Sequence, residues 1–95
     1  MNIVWRPRAA DDFERLITEA WEANAGTASR DKSLVETRLL QLVRFAELGR
    51  KTRRVGVREL PIEGTSYIVV NRHLGEDVLI IRIFHTSNAG PTRNF

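Results

Sequence analysis

The chain has no cysteine, one methionine, one tyrosine and three prolines in 95 residues. Without cysteine there is no disulfide framework and no thiolate metal site. Two histidines, neither beside a carboxylate cluster, leave little from which to build a metal centre, and no cofactor is expected. No apolar run approaches the roughly 20 residues that span a bilayer. The start, Met1-Asn2-Ile3-Val4-Trp5-Arg6, lacks the apolar core of a signal peptide, so a cytoplasmic protein without membrane contact is the expectation. Repeats, low-complexity stretches and linkers are also missing. Residues 1–95 therefore read as one domain with a modest core.

What is present is arginine. Lys and Arg total 15 against 12 Asp and Glu, a net charge of +3. Six cations crowd one segment: Arg44, Arg50, Lys51, Arg53, Arg54 and Arg58. Such a run serves as a solvated, solubilising surface. It equally suits nucleic acid or an acidic protein partner, because the guanidinium fork matches phosphate and carboxylate.

Hydrophobic spacing gives the elements. Residues 2–6 alternate as a short strand. Pro7 suits a first helical position, with Asp11 and Asp12 favourable to the first-turn dipole. Ala10, Phe13, Leu16, Ile17, Ala20, Trp21 and Asn24 form one helical stripe, with a stop at Asn24 and Gly26. Gly26 to Ser33 reads as a polar link. Ser33 with Glu36 reads as a capping box, although Ser29 offers a start one turn earlier. Val35, Leu39, Leu42, Val43 and Ala46 make the second stripe, closed by Gly49. Trp5 and Trp21 read as core anchors.

Three strands follow. In the first, Val55 and Val57 alternate with basic residues, and the parity change to Leu60 and Ile62 suggests a bulge near Arg58-Glu59. Tyr67 to Arg72 and Val78 to His85 are apolar enough for central strands. The fold class is α+β, in the order β-α-α-β-β-β: a helical hairpin on one face of a mainly antiparallel, curved sheet. A two-residue loop at Gly75-Glu76 would oppose Tyr67 to Phe84, Val69 to Arg82, Asn71 to Ile80 and His73 to Val78. That mixed set reads as the open face. Ile68, Val70, Arg72, Leu79, Ile81, Ile83 and His85 would lie under the helices. Arg82 and His85, three apart, would then point to opposite faces.

Several of these segments also carry a resemblance. They are Leu48-Gly49-Arg50, Gly56-Val57-Arg58-Glu59-Leu60-Pro61, the Tyr-led strand Tyr67-Ile68-Val69-Val70-Asn71-Arg72, and Ile80-Ile81-Arg82-Ile83-Phe84-His85. In this order they resemble the ParE/RelE toxin family, small toxins of bacterial type II toxin–antitoxin pairs of the plasmid-stabilisation kind. The resemblance runs over roughly residues 3 to 90 and implies the fold just derived. It implies a cognate antitoxin as partner. It also implies one of two activities: poisoning of DNA gyrase, on the ParE-like side, or ribosome-dependent cleavage of mRNA, on the RelE-like side. The Arg-Glu-Leu-Pro strand and the Ile-Ile-Arg-Ile-Phe-His strand look more like ParE.

RNA cleavage needs a base, an acid and cationic stabilisation of the phosphate. By resemblance the candidates are Arg82, His85, Arg72 and Arg58, with Glu59 and His73 in reserve. The tail from Thr86 to Phe95 offers no Tyr, Lys, Glu or His, which weakens the nuclease reading. For a protein-binding toxin the candidate partner contacts are Arg50, Arg53, Arg54, Arg58, Tyr67 and Arg82. Arg58 is otherwise an ion-pair partner of Glu59 or of a helix carboxylate. Arg72 would pair with an acid of the hairpin, since a buried charge needs one. His85 would otherwise hydrogen-bond a strand end, and His73 beside its turn reads as exposed and inert. A homodimer, a toxin–antitoxin hetero-oligomer, and a member that has lost toxicity but still binds antitoxin all remain open.

Overall fold

One residue, Asn24, separates the two helices. The computed structural model, which describes residues 2–45 and 47–88, has β1 (Ile3–Trp5), α1 (Pro7–Ala23), α2 (Ala25–Arg44), β2 (Arg50–Lys51), β3 (Val57–Pro61), β4 (Tyr67–Leu74) and β5 (Asp77–His85). A 3-10 turn, Thr86–Asn88, follows. Asn24 closes α1 by donating its amide to the Ala20 carbonyl, and its side chain accepts from the Thr27 amide at 3.0 Å to open α2. The expected link from Gly26 to Ser33 is therefore helix, and Ser33 is not a cap. Packing explains the extension. Ala28 and Asp31 are buried, and tertiary contact overrides the modest helix propensity of an Ala-Gly-Thr-Ala-Ser start.

Other boundaries move for similar reasons. Pro7 does stand at the head of α1, but Asp11 and Asp12 lie beyond its first turn. The buried stripe is Ala9, Asp12 and Leu16, with Phe13 and Ile17 beside it. Ala10 is exposed. Trp5 stacks on Phe13 at 5.4 Å, as an anchor should. Trp21 does not anchor: it is 58% exposed near the end of α1. The second helix ends at Arg44, capped at Phe45, well before Gly49. Ala46 falls outside the described residues. Gly49 has another duty. A Cβ there would sit 3.0 Å from the Arg58 Cβ and 3.0 Å from the Glu59 carbonyl, so glycine lets the chain approach β3 this closely without displacing it.

The sheet has five strands in the order β1-β5-β4-β3-β2. β1 runs parallel to β5 and the remaining pairs are antiparallel. The helical hairpin covers one face. Between it and the sheet, Leu42 of α2 and Leu60, Ile62, Ile80 and Ile83 are fully buried. Each such side chain contributes roughly 1.5–3 kcal/mol by leaving water.

The loop at Gly75-Glu76 is as expected, with Leu74 opposite Asp77 and Gly75 at φ +60°. Asn71 opposes Ile80 and His73 opposes Val78. Then the register slips. Val70 opposes Arg82, Val69 opposes Ile83, Ile68 opposes Phe84 and Tyr67 opposes His85, leaving Ile81 as the extra residue of a β-bulge. No bulge occurs at Arg58-Glu59, where β3 pairs regularly with β4. The parity change there is a change of face: Val57 packs on one side of the sheet, Leu60 and Ile62 on the other.

Along β4 and the first part of β5 the two faces are the reverse of the expectation, whereas past the bulge Arg82 and Phe84 lie on the open face and Ile83 and His85 on the covered one, as expected. Tyr67, Val69, Val78, Ile80 and Ile83 lie under the helices. Val57, Val70, Leu79 and Ile81, with Phe84 against them, form a second small cluster on the face the helices leave open. The four residues of that cluster are buried.

Candidate functional site

Arg82 leaves the open face, opposite Val70, and reaches around the edge of β5 to α1. Its Nε donates to Asp12 Oδ2 at 2.6 Å and its Nη2 to Oδ1 at 3.1 Å. The Ile83 amide donates to the same Oδ2 at 3.0 Å, and Arg15 stands 3.6 Å from Oδ1. Asp12 is thus held from three sides. Burial alone would raise its pKa, but the Arg82 hydrogen bond, the Ile83 amide and the charges of Arg82 and Arg15 together bring it below the usual carboxylate value. The Arg82 pKa is raised, chiefly by its bond to Asp12. Its guanidinium also lies over the Phe84 ring, 4.9 Å from the centroid.

The remaining candidates disperse. His85 is on the opposite face from Arg82, paired with Tyr67, and meets that ring edge-on at 6.1 Å. Its Nδ1 accepts from the Ser87 amide at 3.2 Å and lies 2.8 Å from Ser87 Oγ. Tyr67 is buried in the main core rather than displayed on an open face. Its phenol pKa is raised, first by burial, then by the Asp31 carboxylate and by Glu19. Arg58 donates from Nη1 to the Gly49 carbonyl at 2.9 Å, and the expected ion pair with Glu59 is replaced by Arg50 to Glu59 at 3.8 Å. Arg72 sits opposite Val57 on the open face, away from the hairpin acids expected to pair with it, and its Nε is buried without a partner. His73 is half-buried, not exposed, and its Nε2 has no partner. Asn71, fully buried, has both amide atoms unpartnered.

The proposed acid–base set therefore does not converge. Arg82 and Arg58 are engaged, and both histidines lie on the helix-covered side of the sheet. The open face retains Glu59, Arg72 and the Asp12-bound Arg82. No group of three or more His, Cys, Asp or Glu is placed to hold a metal among the described residues, and no described helix is long and apolar enough to cross a membrane. The tail from Ala89 to Phe95 lies outside the described residues.

A second region is more ordered than its sequence suggests. The basic run folds as the short strand β2 and a tight turn into β3. Thr52 Oγ1 donates to the Val57 carbonyl at 2.9 Å and accepts from the Arg54 amide at 3.1 Å. The Val57 amide donates to the Arg54 carbonyl at 3.1 Å. Val55, expected in the strand, instead tops the turn and is 94% exposed. Gly56 has φ +81°. A shallow cleft of about 280 Å³ runs past Lys51, Thr52, Arg54, Val55, Gly56 and Arg58.

Sequence reasoning missed two residues that organise these regions. Asp12 shares the helical stripe of Ala9 and Leu16, and a carboxylate on a buried stripe signals a cation partner. Thr52 lies between cations, where its short hydroxyl has the reach to fold the turn.

The comparisons with known proteins agree with the geometry. One solved structure, described as the chromosomal ParDE TA system from P. aeruginosa, superposes with a TM-score of 0.79. The two share 23% sequence identity over 90% of this chain and 95% of that one, a likeness of fold. No match is found among the curated proteins. The family model for the ParE toxin of the type II toxin–antitoxin system, parDE, matches residues 3–90. With nearly its whole length inside that match, the chain belongs to the ParE toxin family of type II toxin–antitoxin systems.

Proposed function

We propose that this chain is the toxin of a type II pair, that it arrests growth by binding and poisoning DNA gyrase, and that a cognate antitoxin neutralises it. The observation that carries the reading is the state of Arg82. A guanidinium held at 2.6 Å by a buried carboxylate is spent on structure, and among the described residues no acid–base constellation forms around it: Glu59, on the same face, lies two strands away and pairs with Arg50. A toxin that binds its target needs no such constellation, whereas a ribonuclease does.

The basic turn supports a binding role, since its cations are exposed on a braced scaffold. The helical hairpin supports an antitoxin contact. Trp21, Leu40 and Phe45 are large apolar side chains on it left exposed to solvent, the kind of anchors protein partners cover.

Induced expression in a bacterial host tests the toxin assignment. Growth should stop, and co-expression of the small protein encoded next to this chain should restore it. Unimpaired growth with folded, abundant protein that still binds that neighbour would instead mean a member that binds antitoxin without being toxic.

A further inference from the structure

Between Leu48 and Arg58 the chain carries five cations and no carboxylate. Arg50 has Glu59 and Arg58 has the Gly49 carbonyl. Lys51, Arg53 and Arg54 have no carboxylate partner among the described residues. Arg72 joins them from β4: its Nη2 lies 3.5 Å from where a Gly56 Cβ would stand, and its buried Nε is unpartnered. Four uncompensated cations thus surround one turn, and the turn is pinned by its own hydrogen bonds. Holding like charges together costs energy unless an anion answers them.

We propose that this turn binds the phosphate backbone of double-stranded DNA directly. The proposal goes beyond the gyrase reading, in that it places DNA itself in contact with the toxin.

The chemistry favours duplex phosphate over the alternatives. Protein interfaces also enrich Arg, but they set it among aromatic and apolar anchors with the other charged residues depleted at their centre. Here the only exposed apolar side chain is Val55, with cations about it. Single strands and RNA loops are held by bases stacked on aromatic rings. Residues 49–58 contain no aromatic, and the nearby Phe45 ring already carries Arg44 at 5.7 Å. Interfaces with duplex DNA, by contrast, are polar, strongly positive and rich in phosphate contacts. A rigid turn presenting Arg53, Arg54 and Lys51 around one small apolar tip fits a duplex backbone at a groove edge.

The test is fluorescence anisotropy of the whole protein with a short labelled duplex of mixed sequence, in the absence of gyrase, over a series of salt concentrations. Each phosphate contact contributes about −0.9 to the slope of log K against log salt, so three to four cations give a slope of roughly −3. Arg53→Ala with Arg54→Ala should bring the slope to roughly −1 and weaken binding about tenfold or more at low salt. Arg6→Ala with Arg8→Ala removes the same charge beyond β1, at the far edge of the sheet from β2, and should leave the slope near that of the parent. Equal losses in both pairs would mean a response to net charge alone and would overturn the proposal. So would a parent protein that ignores the duplex at low salt but is captured through Arg53 and Arg54 by gyrase free of DNA, which would make the turn a docking site for acidic protein. DNA binding as expected, with gyrase unaffected, would uphold this inference while removing the gyrase reading. Melting curves of each variant confirm that the fold is retained.

Discussion

Asp12 and Arg82, 70 residues apart in sequence, meet through two hydrogen bonds of 2.6 and 3.1 Å at the edge of β5. The same carboxylate caps the Ile83 amide, where β5 has run past the three residues of β1 and its backbone would otherwise be open. One side chain therefore joins helix to sheet, closes an exposed strand edge and engages the Arg82 guanidinium.

Replacing Asp12 should expose this linkage. Asp12→Asn is expected to destabilise by about 3 kcal/mol, the order found when one partner of a buried pair is removed. The pH dependence identifies the cause. The folded pKa of Asp12 lies below its ordinary value of 3.8, so its stabilisation is full above that pH and is lost as the pH falls through the lower folded value. Melting temperatures measured from neutral to acid pH should drop more steeply below about pH 4 for the parent than for Asp12→Asn. Parallel curves would contradict the assignment.

Tyr67 makes the converse case at alkaline pH. Its phenol is buried beside Asp31, and its folded pKa is raised above 10.0. The neutral form therefore stabilises the fold below the unfolded value, and the contribution fades as the pH rises through the folded one. Tyr67→Phe should cost about 1 kcal/mol at neutral pH through the lost hydroxyl, and should flatten the loss of stability above about pH 10. Chemical denaturation at both pH values checks it.

Asn24 serves both helices, so its removal should register in both. Asn24→Ala is expected to destabilise by about 1 kcal/mol, and Asn24→Gly by a few tenths. Hydrogen exchange should quicken at the Thr27 amide, the one the side chain accepts from. An unchanged Thr27 rate would show that the cap is formed some other way.

Much of the fold is legible from residue spacing, because the helix stripes and the strand runs are each consistent over several turns or rungs. What was not legible has specific physical causes. Leu79-Ile80-Ile81 is uniformly aliphatic, so no alternation marks the extra residue at Ile81. That one slip sends Ile83 under the helices and Phe84 to the open face. The face with fewer aliphatics then proved to be the covered one, since Tyr67 buries its ring there and Asn71 is buried with its amide unpartnered. The start of α2 was hidden because its first turns are small, polar residues whose burial depends on the sheet beneath. At the site, charge was visible but pairing was not. Arg82 looked free because its partner lies in a different element, and the basic run looked like loop because the hydroxyl of Thr52 is what folds it.

The central claim is action on gyrase without bond chemistry by the toxin. It is tested most directly by purified gyrase and a translating extract, each given the same protein preparation. The account expects inhibited supercoiling or trapped, cleaved DNA, with the extract's mRNA intact, and with the effect retained in Arg82→Lys and His85→Ala. Cleaved mRNA with unimpaired supercoiling would contradict it and make the protein a nuclease.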